Sequence, residues 1–316
     1  MATVESFLKE WRDGSDYIVA HTSGSTGTPK EIHLLKSDMR ASAMATNAFF
    51  GIGPKSVLGI ALSADYIAGK MMAVRAEIAG CRLCAMNPSN RLLYHSRIDL
   101  MAIVPSQIAS FVSHPEMAAL TGALLIGGGA PSAADCRALV GLGYKVYISY
   151  GMTETCSHVA LADGADDERI FKAMPGISFG TSDDGRLIVH CPNFSFGMLQ
   201  TNDLVELLSP VSFRWRGRAD GVINSGGIKL VPEELEALYA PFLPGIRFYV
   251  TSSPHPLWGE AVVLVLEGTP EVAAEVESCL RNAVADHRRL PKEFIAVERL
   301  PAASNGKIRR LRPSEL

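Results

Sequence analysis

From residue 17 to about 152, short apolar runs alternate with stretches of helical period. YIVAH (17–21) reads as a short buried strand, and SVLGIAL (56–62), CRLCAM (81–86), LMAIVP (100–105), ALLIGGGA (123–130) and KVYISYG (145–151) read as further strands or apolar runs that stop at Pro or Gly. Between them, Ser37 is placed to cap a helix reaching about Phe50, with Met39, Ala43 and Met44 on one face, and Gly51 and Gly53-Pro54 end it. IAGKMMAVRAEIAG (67–80) and DCRALVGLG (135–143) carry the same helical signature. Strand–helix alternation of this kind predicts an α/β fold with parallel sheet layers and helices outside.

The texture changes after about Pro175. GRLIVHCP, LQTNDLVELL and VSFRWRG predict antiparallel strands with polar turns, and a Gly-rich turn then leads into a helix opening at Pro232. IRFYVTS, AVVLVLEG, a helix near 271–287 and EFIAVERL complete a compact α+β segment. The expected organisation is a large N-terminal domain (1–219) with layered sheets and a β-rich subdomain, followed by a small mobile α+β domain (220–316).

Composition narrows the function classes. The 316 residues carry 30 basic against 33 acidic side chains, with no basic stripe for nucleic acid and no like-charge tail. No run reaches the roughly 18–20 apolar residues of a membrane span, and the N-terminus lacks the pattern of a secretory signal. Six cysteines are scattered, and the one C-x-x-C, Cys81 and Cys84, lies in an apparent buried strand without a second pair at zinc spacing. A reduced, cytoplasmic protein without nucleic-acid or membrane partners is expected.

The chemistry begins at VAHTSGSTGTPKEIHLL (19–35). Glycines let backbone N–H groups converge on one point, hydroxyls add donors and Lys30 adds charge, which together read as a polyphosphate cradle. It is not a Walker A loop, because Lys30 follows Pro29, precedes Glu31 and has no Ser or Thr after it to hold Mg²⁺. Taken alone, such a cluster is as often a plain loop.

It does not stand alone. TSGSTGTPK (22–30) resembles the phosphate loop of the adenylate-forming enzymes, the acyl-CoA synthetases, adenylation domains and luciferases. GGGAP (127–131), YGMTET (150–155), TND (201–203), GRADGVINSGGIKLVPEELE (217–236) and NGKIRR (305–310) then resemble the family's later motifs in the family's order, covering nearly the whole chain. Each residue has a bland alternative, such as a sheet-end aromatic, a turn carboxylate or a solvated basic tail. The ordered set favours function.

The resemblance implies a two-step reaction. A carboxylate attacks the α-phosphorus of ATP, giving an acyl-adenylate and pyrophosphate, and a thiol, usually that of coenzyme A, then displaces AMP. By resemblance, Thr22, Ser23, Gly24, Ser25, Thr26, Gly27 and Lys30 hold the outer phosphates, Gly128 and Gly129 line the adenine pocket, and Tyr150 stacks on the base. Thr153 touches the α-phosphate, Glu154 holds Mg²⁺, Asp203 takes the ribose hydroxyls, and Arg218 reaches ribose or phosphate. Lys307 bridges the carboxylate and α-phosphate, Asp220 is the hinge, and Gly226, Gly227 and Lys229 line the thiol channel.

The chain departs from the family in length: its phosphate loop begins at residue 22, so most of the subdomain that usually precedes the loop is missing. Its replacement is expected from elsewhere, such as a second protomer. Asn202 and Asn305 replace the usual Gly and Ser without removing a reacting group. A short chain with SADYIAGKMM resembles the compact o-succinylbenzoate–CoA ligases of menaquinone biosynthesis. That acid has two carboxylates and a ring, so one carboxylate remains to be held. Lys70 and Arg75 are the candidates to hold it, Tyr66 stands roughly where the family has an aromatic near the acyl pocket, and His158 is placed to face the acyl group, with a snorkelling Lys70 and a structural His158 as the alternatives. Two competing readings remain open: an amino-acid adenylating enzyme, for which Asp65 is suitably placed, and a non-catalytic nucleotide-binding relative.

Overall fold

The computed structural model describes residues 3–21, 31–301 and 308–316. They form two compact units, Met1–Gly180 with Ile188–Gln200 and Leu207–Arg214, and Thr181–Leu187 with Thr201–Glu206 and Trp215–Leu316.

The first unit opens with α1 (Val4–Trp11), capped by Thr3, whose Oγ1 accepts from Ser6 N at 3.1 Å. β1 (Tyr17–His21) pairs antiparallel with β2 (Glu31–Leu35), and α2 (Lys36–Phe50) follows. Then come β3 (Val57–Ile60), α3 (Ile67–Ala79), β4 (Arg82–Ala85), β5 (Leu100–Ile103), α4 (Ile108–Ser113), β6 (Leu124–Ile126), α5 (Ala133–Gly141), β7 (Val146–Met152), β8 (Ser157–Asp163) and β9 (Ile170–Ala173). Strands β3 to β7 are parallel in the order β4-β3-β5-β6-β7. β8 and β9 continue the sheet antiparallel, and residues 212–214 pair with β9.

The central strands are unbroken apolar runs because helices cover a parallel sheet on both faces; all four residues of β5 and all three of β6 are buried. One cluster joins the sheet to α4 and α5 through Ile103, Phe111, Leu139 and Tyr144. Another joins α1, α2 and α3 through Phe7, Trp11, Met39, Ala43, Met71 and Val74.

The strands β10 (Ser178–Thr181), β11 (Arg186–Cys191), β12 (Gly197–Ser209) and β13 (Ser212–Arg218) contribute residues to both units. The second unit has its own sheet, β15-β14-β17-β16 with β18 parallel to β17, built from β14 (Ile223–Ser225), β15 (Ile228–Leu230), β16 (Phe248–His255), β17 (Gly259–Glu267) and β18 (Glu293–Val297). Helices α6 (Pro232–Tyr239) and α7 (Pro270–Ala283) pack on it through Leu235, Tyr239, Val276 and Leu280.

The α/β class with layered strands and a small α+β segment is as the sequence predicts. Several local expectations are corrected. Ser37 lies inside α2, whose cap residue is Leu35, and Met44 points to solvent at 57% exposure while Met39 and Ala43 are buried. Cys81 directly precedes and Cys84 lies within β4, and both are half-buried because β4 is the edge strand at one end of the sheet order. Among the described residues no helix is long and apolar enough to cross a membrane.

Candidate active site

Among the described residues of the first unit, the 127–131 and 150–155 motifs lie at the carboxyl ends of β6 and β7, where open α/β sheets bind ligands. The register Ile126↔Ile148 carries the glycine run after β6 alongside Ser149 and Tyr150 on β7. A side chain at Gly127 would come within 2.7 Å of the Ser149 hydroxyl, which donates to Ile126 C=O at 3.0 Å. Gly128 and Gly129 therefore lie beside the Tyr150 segment. Tyr150 packs edge-on against Phe213 (5.0 Å between centroids) and tilts against Phe171 at 5.7 Å.

β7 runs into β8 through a tight turn that holds Thr153 and Glu154, both half-buried. Thr155 locks the turn: its Oγ1 accepts from Met152 N at 3.0 Å and lies 2.7 Å from Ser157 O. Cys156 and Ser157 have positive φ (58° and 152°), a strain that the fully buried Thr155 helps to sustain. Only glycine fits before the turn, since a Cβ at Gly151 would sit 2.0 Å from Ser157 O. Burial pushes the Cys156 thiol up to about 12, so it is no nucleophile.

Directly after the turn lies a buried polar cluster between α2, α3 and β8. Arg75, on α3, is 1% exposed. Its Nη2 donates to Ser157 Oγ at 3.0 Å and faces His158 Nδ1 at 3.4 Å, and His158 Nε2 lies 3.2 Å from Thr46 Oγ1. Burial brings the guanidinium down to about 9, so it stays charged at neutral pH. Burial, and then the nearby Arg75 charge, hold His158 well below the ordinary histidine value. Among the described residues no carboxylate pairs with Arg75, and its Nε, Ser42 Oγ and Asn47 Oδ1 are buried without a hydrogen-bond partner. A buried cation costs several kcal/mol (roughly) unless an anion answers it.

Of the expected substrate residues, the structure brings Arg75 and His158 together and sends the other two elsewhere. Lys70 turns toward α1, where its Nζ lies 3.8 Å from Glu10 Oε2 and 4.7 Å from the Phe7 ring centre. Tyr66 stands exposed at the start of α3, and Asp65, also exposed, accepts from Ser63 Oγ at 2.7 Å. Sequence reasoning missed Thr46, Asn47 and Ser157; the polar Thr-Asn pair on an otherwise core-facing helix was the available signal. A surface groove of ≈ 960 Å³ lined by Trp11, Lys36, Arg40 and Glu77 holds none of the motif residues.

In the second unit, Asp203 is buried to 7% exposure and accepts from Trp215 Nε1 at 3.1 Å. Arg218 lies 4.0 Å from Asp203 and grips Asp220 through two bonds of 2.9 and 2.7 Å. That grip holds the Asp220 carboxyl below its ordinary range and raises Arg218. Gly226 and Gly227 form the two-residue turn between β14 and β15, both with positive φ (61° and 81°), as a primed hairpin turn demands. Lys229 follows, exposed. From the C-terminal motif, Arg310 is pinned to α6 by Glu236 (2.7 Å) and Glu233 (3.3 Å), and Arg309 N donates to Pro301 O at 2.8 Å. Thr22, Ser23, Gly24, Ser25, Thr26, Gly27, Lys30 and Lys307 lie outside the described residues.

Residues 6–184 match the AMP-binding enzyme family. The chain belongs to that family. It is 23% identical to the 2-succinylbenzoate–CoA ligase of Listeria monocytogenes, over 96% of this chain and 70% of that protein. It is 32% identical to a solved acyl-CoA synthetase (AMP-forming)/AMP-acid ligase II-like protein from Dyadobacter fermentans, covering 97% of this chain and 91% of the other with a TM-score of 0.64. The O-succinylbenzoate coenzyme A synthetase of Bacillus subtilis, solved with ATP and magnesium ion, shares the fold at a TM-score of 0.79 and 23% identity, over 92% of this chain and 68% of that one.

Proposed function

We propose that this AMP-binding enzyme is an acid–thiol ligase that joins o-succinylbenzoate to coenzyme A through an acyl-adenylate, releasing pyrophosphate and then AMP. The observation that carries the choice of acid is Arg75: a buried cation, unanswered by any described carboxylate, immediately beside the turn that bears Thr153 and Glu154. An acid with a second carboxylate answers that charge. The similarity to 2-succinylbenzoate–CoA ligases supports the same reading.

Adenylation joins two anions, so the protein's work is charge and alignment. On this reading, residues 22–30 hold the outer phosphates, Gly128, Gly129 and Tyr150 receive adenine, Asp203 and Arg218 hold ribose and phosphate, and Thr153 steadies the α-phosphate. Lys307 draws the carboxylate onto phosphorus. The donor set suits magnesium: a hard cation that takes most of its ligands from phosphates and water needs little more than the single carboxylate of Glu154. Among the described residues no group of three or more His, Cys, Asp or Glu competes for it. Bound there, the ion would neutralise phosphate charge. Asp220 is the pivot at which the small domain (220–316) turns between the two steps, and Gly226, Gly227 and Lys229 then face the thiol. Arg75 takes the free carboxylate.

Thioester formation from o-succinylbenzoate, with Arg75→Gln as control, tests this. The variant should lose the preference for a diacid over a monoacid while retaining ATP binding. An unchanged preference would remove Arg75 from the role.

A further inference from the structure

We infer that His158 and Thr46 are positioning residues that orient the Arg75 guanidinium and so set the enzyme's selectivity for acids with a second carboxylate. This rests on the reading of Arg75 given above and extends it to residues that do not themselves touch the acid.

The argument is a proton count. An arginine can only donate. Its Nη2 faces His158 Nδ1 at 3.4 Å, so Nδ1 must carry the lone pair and the ring proton sits on Nε2. Nε2 faces Thr46 Oγ1 at 3.2 Å, so that oxygen accepts, and its own proton goes to Ser42 C=O at 3.0 Å. Every hydrogen along the chain from Arg75 to Ser42 thus has one allowed direction, and one histidine tautomer satisfies it. Burial and the neighbouring cation keep the ring neutral, so it accepts from Arg75 without repelling it. Asn47 completes the brace by donating from Nδ2 to the Arg75 backbone C=O at 2.9 Å, which fixes α3 at that residue. Ser157 Oγ and His158 Nδ1 both accept from Nη2, while Nε is buried without a hydrogen-bond partner. Ser42 Oγ and Asn47 Oδ1 are likewise buried without a hydrogen-bond partner: the hydroxyl can donate to a ligand oxygen, whereas the amide oxygen accepts only and needs a donor such as a bound water.

The chain is directional, so isosteric substitutions separate its parts. His158→Asn places an amide oxygen near the position of Nδ1 and keeps the acceptor; His158→Gln places its amide near Nε2 and loses it. Thr46→Val removes the next link with little change of shape. Each variant is assayed for kcat and KM with o-succinylbenzoate and with 4-oxo-4-phenylbutanoate, which has the same skeleton without the ring carboxylate.

His158→Gln should raise KM for o-succinylbenzoate roughly ten- to a hundredfold, the size of a lost hydrogen bond to a charged group. It should leave kcat, and both constants for the monoacid, near wild type. Thr46→Val should move KM the same way by less, and His158→Asn should restore it. Equal effects on both acids, or none, for His158→Gln and Thr46→Val alike would overturn the inference. Arg75→Gln separates the two levels: if it leaves the diacid preference intact, the reading of Arg75 falls and this inference with it. If it abolishes the preference while the His158 and Thr46 variants keep it, only the positioning role falls.

Discussion

Arg218 and Asp220, separated by one residue, hold each other through two parallel hydrogen bonds of 2.9 and 2.7 Å, while Arg218 also lies 4.0 Å from Asp203. The cation that the family pattern assigns to the nucleotide is thereby shared with the residue assigned to the hinge. Asp220→Ala releases Arg218 toward Asp203. The expected outcome is a thioester-forming step slowed more than pyrophosphate exchange, measured by comparing the two half-reactions. Equal slowing of both would remove Asp220 from the pivot.

Gly151 has no room for a side chain, with Ser157 O at 2.0 Å and His158 Cα at 2.5 Å from a built Cβ. Gly151→Ala should cost about 3 kcal/mol of stability, at the upper end of overpacking effects. It should also displace Tyr150, its neighbour, and Thr153, two residues on. A thermal melt close to wild type would show that β8 yields more easily than the backbone contact implies.

Arg75 presents a trade between stability and selectivity. Replacing a buried, unanswered cation with an apolar side chain of similar length should raise stability by about 1–2 kcal/mol. Arg75→Met is therefore expected to melt higher than wild type and to lose its preference for diacids. A lower melting temperature would mean that the guanidinium is better satisfied than its surroundings indicate.

His158 makes stability depend on pH in a defined window. Its folded value is lowered, so the folded state resists the proton that the unfolded chain accepts below the ordinary 6.5. This residue adds no pH dependence above 6.5. Below it, stability should fall by about 1.4 kcal/mol per pH unit until the folded protein also protonates. Denaturant titrations at stepped pH on wild type and His158→Asn check the sign: the variant should lose that slope.

Much of this architecture is legible because a parallel sheet writes itself as apolar runs ending at glycine or proline, as at Ile103 and Ile126. The short α1 carries a legible signal, with Phe7 and Trp11 four apart on one buried face. Met44 shows the limit of a loosely drawn stripe: five residues on from Met39, it falls outside the buried arc of Met39, Ser42, Ala43, Thr46 and Asn47 and turns to solvent. Lys70 and Arg75 look alike as cations on one helix. Only tertiary packing sets Lys70 against Glu10 and Arg75 against His158. The Thr46 link was invisible because its partner is 112 residues away.

The central claim concerns the reaction itself. Purified enzyme with ATP, magnesium and coenzyme A should form AMP, pyrophosphate and a thioester in equal amounts from o-succinylbenzoate. Rates with benzoate, fatty acids and amino acids should be far lower, and Lys307→Ala should slow adenylation by roughly 10²- to 10³-fold. Turnover of an amino acid with none of o-succinylbenzoate, or no adenylate from any acid, would contradict the account.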